Sequence, residues 1–222
     1  PLVSGRAPDN DIARLKRAYV NEKCAPEILP FETDLVARVM EQVEHQESTV
    51  SSQRAAAAGG QGGHGGGAGA DDLMAHIYHA ELNRVRFMLR AYHRTRLFKI
   101  EKYAVHALRD PETLARLSEL EREYATNYAN AVEEHFSGVL GQMPERYGSM
   151  LQQIEEDEGE WDMVPEPNLD AHVFCRVKED IGDWMMDPDE PDNTMDLTAG
   201  DIIVIKYRLI TQLLREDKAD LI

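Results

Sequence analysis

Few residues in this chain have the types and spacing that chemistry needs. His76-x-x-His79, with Glu81 close by, is the best metal-like spacing, because a helix would bring the two imidazoles to roughly one face. Two ligands do not make a zinc site, however. A di-iron bundle would use Glu-x-x-His on two helices, and none of the eight histidines has a glutamate three positions before it. Cys24 precedes Ala25-Pro26 without a nearby histidine, and Cys175 lies far off in sequence. The two cysteines therefore form neither a CxxC pair nor a disulfide framework, which fits a reducing compartment. No GxxxxGK[ST] or GxSxG occurs, and the glycines of 59–69 come without the lysine that would cradle a phosphate. Carboxylate pairs such as Glu155-Glu156 sit in an acidic run that water should solvate. Neither a catalytic, a metal nor a cofactor site has specific support.

One cluster stands out by charge. Arg84, Arg86, Arg90, Arg94, Arg96, Lys99 and Lys102 put seven cations into 84–102, offset only by Glu101, in a chain of formal net charge −17. Three readings compete: contact with DNA phosphates, pairing with acidic residues of neighbouring helices, and pairing with a partner subunit. The overall negative field opposes direct DNA binding by the isolated chain. Arginines interleaved with apolar residues on one helix belong at packed edges, where the guanidinium can grip a carboxylate with two bonds. Pairing within or between proteins is the favoured reading. A nucleic-acid-binding module built on 84–102 is the alternative.

The elements that must position these residues read as two parts, an α+β organisation. Asp9 and Asn10 can cap a first helix bearing Ile12, Leu15, Ala18 and Tyr19, ending near Lys23. A second helix starts at Thr33. The run 55–70 is nearly all alanine and glycine, and is expected to be a flexible loop. A long helix follows to about Tyr103, apolar over more than one stripe, as befits burial on more than one side. Asp110-Pro111 predicts an N-cap and N1 proline for a further helix running through Phe136, which Gly138 or Gly141 could end. A short amphipathic piece is expected from Pro144 to Ile154. The all-α bundle thus spans 9–154, an acidic linker 155–166, and a small β-rich domain 167–222. Within that domain His172–Lys178 alternates as a strand, Ile202–Ile205 reads as a fully buried strand, Leu209–Leu214 as a short helix, and Leu221-Ile222 as part of a last strand. The longest strongly apolar run, Ile202–Ile205, is far short of the roughly 18 residues of a membrane helix. No signal-peptide core follows Pro1.

Five segments carry a family resemblance: Asn21–Glu27, Val39–His45, Arg94–Tyr103, Pro167–Val177 and the final Leu221-Ile222. In order and in spacing, from about Leu15 onward, they resemble the fourth subunit of the eukaryotic GINS complex, the SLD-five type. The resemblance implies a helical A domain followed by a β-rich B domain, and a non-catalytic subunit without cofactors. Its partners would be the three other GINS subunits. Through the tetramer they would extend to the MCM ring and the CDC-forty-five protein, the replicative helicase of the nucleus, and to replisome adaptor and polymerase components. It further implies an inter-subunit surface on the basic helix and the last strand, with candidates Arg84, Arg86, Leu89, Tyr92, Arg94, Arg96, Lys99, Tyr103, Leu221 and Ile222. Asn21, Glu22, Ala25 and Pro26 would set the turn after the first helix.

Overall fold

The computed structural model describes residues 10–59, 68–141, 154–156, 159–161, 164–185 and 194–222. Among the described residues six helices and seven strands follow one another: α1 (Asp11–Cys24), α2 (Thr33–Gly59), α3 (Ala68–Arg109), α4 (Pro111–Ala115), α5 (Glu119–Leu140), β1 (Ile154–Glu156), β2 (Gly159–Trp161), β3 (His172–Val177), β4 (Gly182–Met185), β5 (Thr194–Leu197), β6 (Ile202–Lys206), α6 (Tyr207–Arg215) and β7 (Ala219–Leu221). Helices first and a small sheet region last is the expected α+β class.

The boundaries carry physical reasons. The Asn10 side chain accepts from the Ile12 amide at 3.4 Å and opens α1. The second helix runs through Ala55–Gly59, residues expected in a loop, because four consecutive alanines are the best helix formers available. The remainder of that Gly/Ala run, 60–67, and nearly all of the piece expected from Pro144 to Ile154, up to residue 153, lie outside the described residues. The end expected near Tyr103 corresponds to a kink, with φ −119° and ψ 25° at that residue, after which helical geometry resumes to Arg109. Asp110 caps as expected, accepting from the amides of Glu112 and Thr113, but the helix it opens lasts only to Ala115. Ser118 then starts α5 with a capping box, its hydroxyl bonded to the Glu121 amide and the Glu121 carboxylate to the Ser118 amide. One expected helix is therefore two. The acidic run is not simply a linker either, since Ile154–Glu156 and Gly159–Trp161 pair as an antiparallel hairpin.

The chain's internal contacts divide it elsewhere than at the acidic run. One compact unit takes the chain up to Tyr19 together with Glu32–His93, and the other takes Val20–Phe31 with Arg94–Ile222. The first unit buries Leu15, Leu35, Val36, Val39, Val85 and Tyr92. Asp11 in this unit accepts from Arg38 and Gln42, and the Arg38 hydrogen bonds hold its half-buried carboxyl below the usual range.

In the second unit the order β6-β3-β7 is antiparallel throughout, with Cys175 opposite both Ile203 and Leu221. Val173, Cys175 and Val177 point to the core, joined there by Ile203, Ile205, Leu213 and Leu221. Cys24, the last residue of α1, and Leu29, in the segment after it, pack on that same core, and Ala25 lies inside it. The strand Ile202–Ile205 was expected to be buried on both faces. It alternates instead, with Ile202 and Val204 exposed and Ile203 and Ile205 in the core.

Candidate interaction site

The basic helix leads into a buried charge cluster. Arg96 is wholly enclosed, and so are the partners that surround it: Glu22 from the end of α1 and Glu121 from the first turn of α5. Its Nε and Nη2 grip the two carboxylate oxygens of Glu121 at 2.7 and 2.9 Å. Its Nη1 donates to Glu22 Oε2 at 2.9 Å and to the Leu29 carbonyl at 2.6 Å, and Nη2 also reaches the Arg116 carbonyl at 3.2 Å. The Phe31 ring lies 5.2 Å from the guanidinium carbon. One turn on, Lys99 donates to Glu22 Oε1 at 2.8 Å, to the Glu22 carbonyl, and to the Glu27 carbonyl at 2.7 Å.

Charge is balanced inside this cluster, which is what makes it tolerable in a low-dielectric interior. Burial lowers the Lys99 ammonium from its ordinary value, against the pull of Glu22. For Glu121 burial works upward, and the Arg96 fork outweighs it, so the carboxyl ends below its ordinary value. A second ring of bonds continues outward. Arg116 pairs with Glu27 at 2.6 Å, and the Tyr207 hydroxyl donates to the other Glu27 oxygen at 2.8 Å. Tyr207 is fully buried, and desolvation followed by the Glu27 charge raises its phenol far above the ordinary range.

This network fixes the irregular segment between α1 and α2. Its carbonyls at Glu27, Ile28 and Leu29 have no helix or sheet partner and are met by Lys99, Arg116 and Arg96. Asn21, in the last turn of α1, ties that helix end to the last strand: it accepts from the Leu221 amide at 2.8 Å and donates to Asp220 at 3.4 Å. Cys24 Sγ donates to the Ile222 carbonyl at 3.3 Å. Asn21 and Glu22 lie in the last turns of α1, where they bond to β7 and to the charge cluster, and Ala25, directly after the helix, is buried in the core of the second unit.

The candidate surface residues separate accordingly. Arg96, Lys99, Tyr103 and Leu221 are buried within the second unit, and Leu89 and Tyr92 within the first, so none of the six offers a free surface in this form of the chain. Arg94 and Ile222 are exposed. Arg84 is exposed beside Glu81 at 3.4 Å, and the half-buried Arg86 pairs with Glu47. Sequence reasoning missed Glu27, Arg116, Glu121 and Tyr207. Only Glu121 had a readable signal, as the fourth residue of a Ser-x-x-Glu box.

His76 and His79 stand exposed on α3, with His79 Nδ1 against the Asn83 amide at 3.0 Å. Among the described residues no group of three or more His, Cys, Asp or Glu is placed to hold a metal ion. No described helix is long and apolar enough to cross a membrane. In the first unit a groove of about 570 Å³ runs between apolar walls of Val39, Leu82 and Val85, with Glu41, His45 and Glu81 at its rim.

Large apolar side chains in water are the other notable feature. Phe87 and Phe98 on α3 are each 66% exposed, Leu120 on α5 is 78% exposed, and Phe174 on β3 is 59% exposed. Comparison with known proteins gives this surface its context. Residues 38–140 match the GINS complex protein helical bundle domain, and residues 167–222 match the DNA replication complex GINS protein SLD5 C-terminus. The chain is 38% identical over 96% of its length to the DNA replication complex GINS protein SLD5 of Arabidopsis thaliana, covering 91% of that protein. It is 32% identical to the human protein of that name, over 97% of this chain and 90% of the relative. The same identity holds for the Schizosaccharomyces pombe protein, over 93% and 89%.

The chain belongs to the GINS SLD5 family. The SLD5 helical-bundle match begins within α2 and ends with α5, while the SLD5 C-terminal match takes in β3 to β7. The hairpin β1–β2 falls between the two matches.

Proposed function

We propose that this SLD5-family chain is a non-catalytic subunit of a GINS heterotetramer in DNA replication, acting by binding three partner subunits. The observation that carries the reading is the contrast between the two classes of side chain on the helices. Arg96, Lys99, Glu22 and Glu121 are engaged with one another in the interior, while large apolar groups, Phe87 and Phe98 foremost, stand in water. A chain that binds substrate hides its apolar surface in a pocket; one that assembles leaves it for a partner. Arg84, Arg86 and Arg94 on α3 and Ile222 after β7 are the members of the candidate set that remain placed to meet another subunit. In this reading the tetramer goes on to join the MCM ring and the CDC-forty-five protein in the nucleus.

The test is co-expression with the other three subunits followed by sizing. A stoichiometric four-chain complex supports the reading. A chain that stays a soluble monomer in their presence contradicts it.

The DNA-binding alternative loses ground on the same geometry. Of the seven cations, Arg96 and Lys99 are buried, Arg84 and Arg86 face Glu81 and Glu47, and Lys102 lies over the Tyr103 ring at 4.9 Å. Too few remain to offset a net charge of −17.

A further inference from the structure

The groove of the first unit opens between α1, α2 and α3. Val39, Leu82 and Val85 wall it and are buried, while Glu41 and Glu81 stand exposed at its edge. Among the described residues neither lysine nor arginine lines it. Its volume of about 570 Å³ falls within the roughly 300–1,000 Å³ of ordinary binding pockets, room for a few side chains. The walls are short. Residues 39–46 on α2 and 78–85 on α3 each cover about 10 Å at the helical rise of about 1.5 Å per residue.

Asn10 lies on this groove and is the first described residue, so residues 1–9 join the chain at its mouth. Of the segments outside the described residues, this is the one attached to a residue that lines the groove. Its chemistry suits the site. Leu2 and Val3 are adjacent aliphatics, and Arg6 is the cation that the edge lacks. Pro8 fixes its own φ and biases Ala7 toward extended backbone, so this sequence is a poor backward extension of α1. Extended chain advances about 3.3–3.6 Å per residue, which carries Arg6 up to about 14 Å from Asn10 and Leu2 up to about 28 Å. Both reaches exceed the length of the groove.

Other occupants fit less well. A second copy of the chain would bring another net charge of −17 to an edge that is already acidic. Phosphate groups would meet Glu41 and Glu81. The glycine-rich residues 60–67 have no aliphatic side chain to offer.

We infer that residues 1–9 fold back along the groove as an intramolecular strap, with Leu2 and Val3 against its apolar walls and Arg6 facing Glu41 and Glu81. The strap goes beyond the tetramer reading and does not depend on it. Because it is tethered at the mouth, its effective concentration there is on the order of millimolar, so a modest contact keeps it seated.

The experiment uses the purified full chain with photoreactive benzoylphenylalanine replacing Ser4, which leaves Leu2, Val3 and Arg6 in place. Equal amounts of unlabelled and nitrogen-15-labelled chain are mixed and irradiated, and the cross-linked peptides are read by mass spectrometry. Cross-links from position 4 to residues 39–46 or 78–85 are expected, joining peptides of the same isotope only. Leu2→Asp/Val3→Asp should lower their yield by about tenfold or more, the loss of two buried aliphatic anchors. Arg6→Glu should lower it several-fold at low salt and by less at high salt, and Glu41→Arg/Glu81→Arg added to Arg6→Glu should restore it. The substitutions at 2, 3 and 6 lie before α1, and circular dichroism of each variant checks that the helices are kept. Cross-links that go elsewhere, that form only between chains, that persist unchanged in Leu2→Asp/Val3→Asp, or that fail to form at all overturn the inference.

Discussion

Replacing Arg96 by methionine keeps most of the side-chain stem and removes the charge. Glu121 then loses both bonds of the fork, at 2.7 and 2.9 Å, and Glu22 keeps only Lys99. The Leu29 carbonyl also loses its 2.6 Å donor. Breaking a fully buried ion pair from one side costs about 3–5 kcal/mol, because the remaining carboxylate is left without its counter-charge. That is a large part of the roughly 5–15 kcal/mol that holds an ordinary domain together. With a urea slope of about 2 kcal/mol/M, a loss of 4 kcal/mol lowers the unfolding midpoint by about 2 M. Urea titration of the purified chain, followed by circular dichroism, reads this directly. A double variant that also carries Glu121→Gln should recover part of the loss, since it removes the orphaned charge. A midpoint for Arg96→Met within about 0.3 M of wild type would refute the account of a charge-balanced interior. A role for Arg96 confined to a seam between proteins would make the opposite forecast.

Further outcomes can be checked with simple measurements. The Glu121 carboxyl is lowered in the folded chain, so its contribution is present above the ordinary value of 4.5 and is lost as pH falls through the lower folded value; Glu121→Gln should therefore cost stability at pH 7 and show little difference from wild type in strong acid, by urea titration at each pH. Burial pushes the Cys175 thiol up to about 11, so at pH 8 iodoacetamide should modify Cys24 and leave Cys175 untouched until the chain unfolds, as read by peptide mass spectrometry. Asn21→Ala should cost about 1–2 kcal/mol and raise hydrogen exchange at the Leu221 amide, which loses its 2.8 Å acceptor. Tyr207→Phe should cost about 1 kcal/mol in urea titration, since Glu27 keeps Arg116 when the hydroxyl is gone.

How far the sequence could be read depended on whether the deciding interaction was local. Asp110-Pro111 announced a helix start because an N-cap and an N1 proline act over three residues, and the alternation of Val173, Cys175 and Val177 gave the face of β3 at once. The Ser118 box was equally local, but the apolar periodicity of Leu114, Leu117 and Leu120 ran straight across the break and hid it. The strand Ile202–Ile205 was placed correctly but its burial was not, because four aliphatic residues look alike whether both faces are covered or one. The charge cluster was beyond such reasoning. Arg96 differs from Arg94 only by two positions on α3, and what encloses it arrives from Glu22, 74 residues before, and Glu121, 25 residues after. The family resemblance, by contrast, was legible because it rests on residue identity and needs no account of packing.

The bond from the Leu221 amide to Asn21 joins residues 200 positions apart. A ribosome adding roughly 5–20 residues per second takes about 10–40 s to cover that interval. Through all of it the segment after α1 lacks the strand that closes over it. Asn21, Cys24 and Ala25 must wait in a nascent chain whose first helix can form within microseconds. Chains stopped short of β7 retain every helix of the bundle yet present an unfinished core to chaperones and proteases.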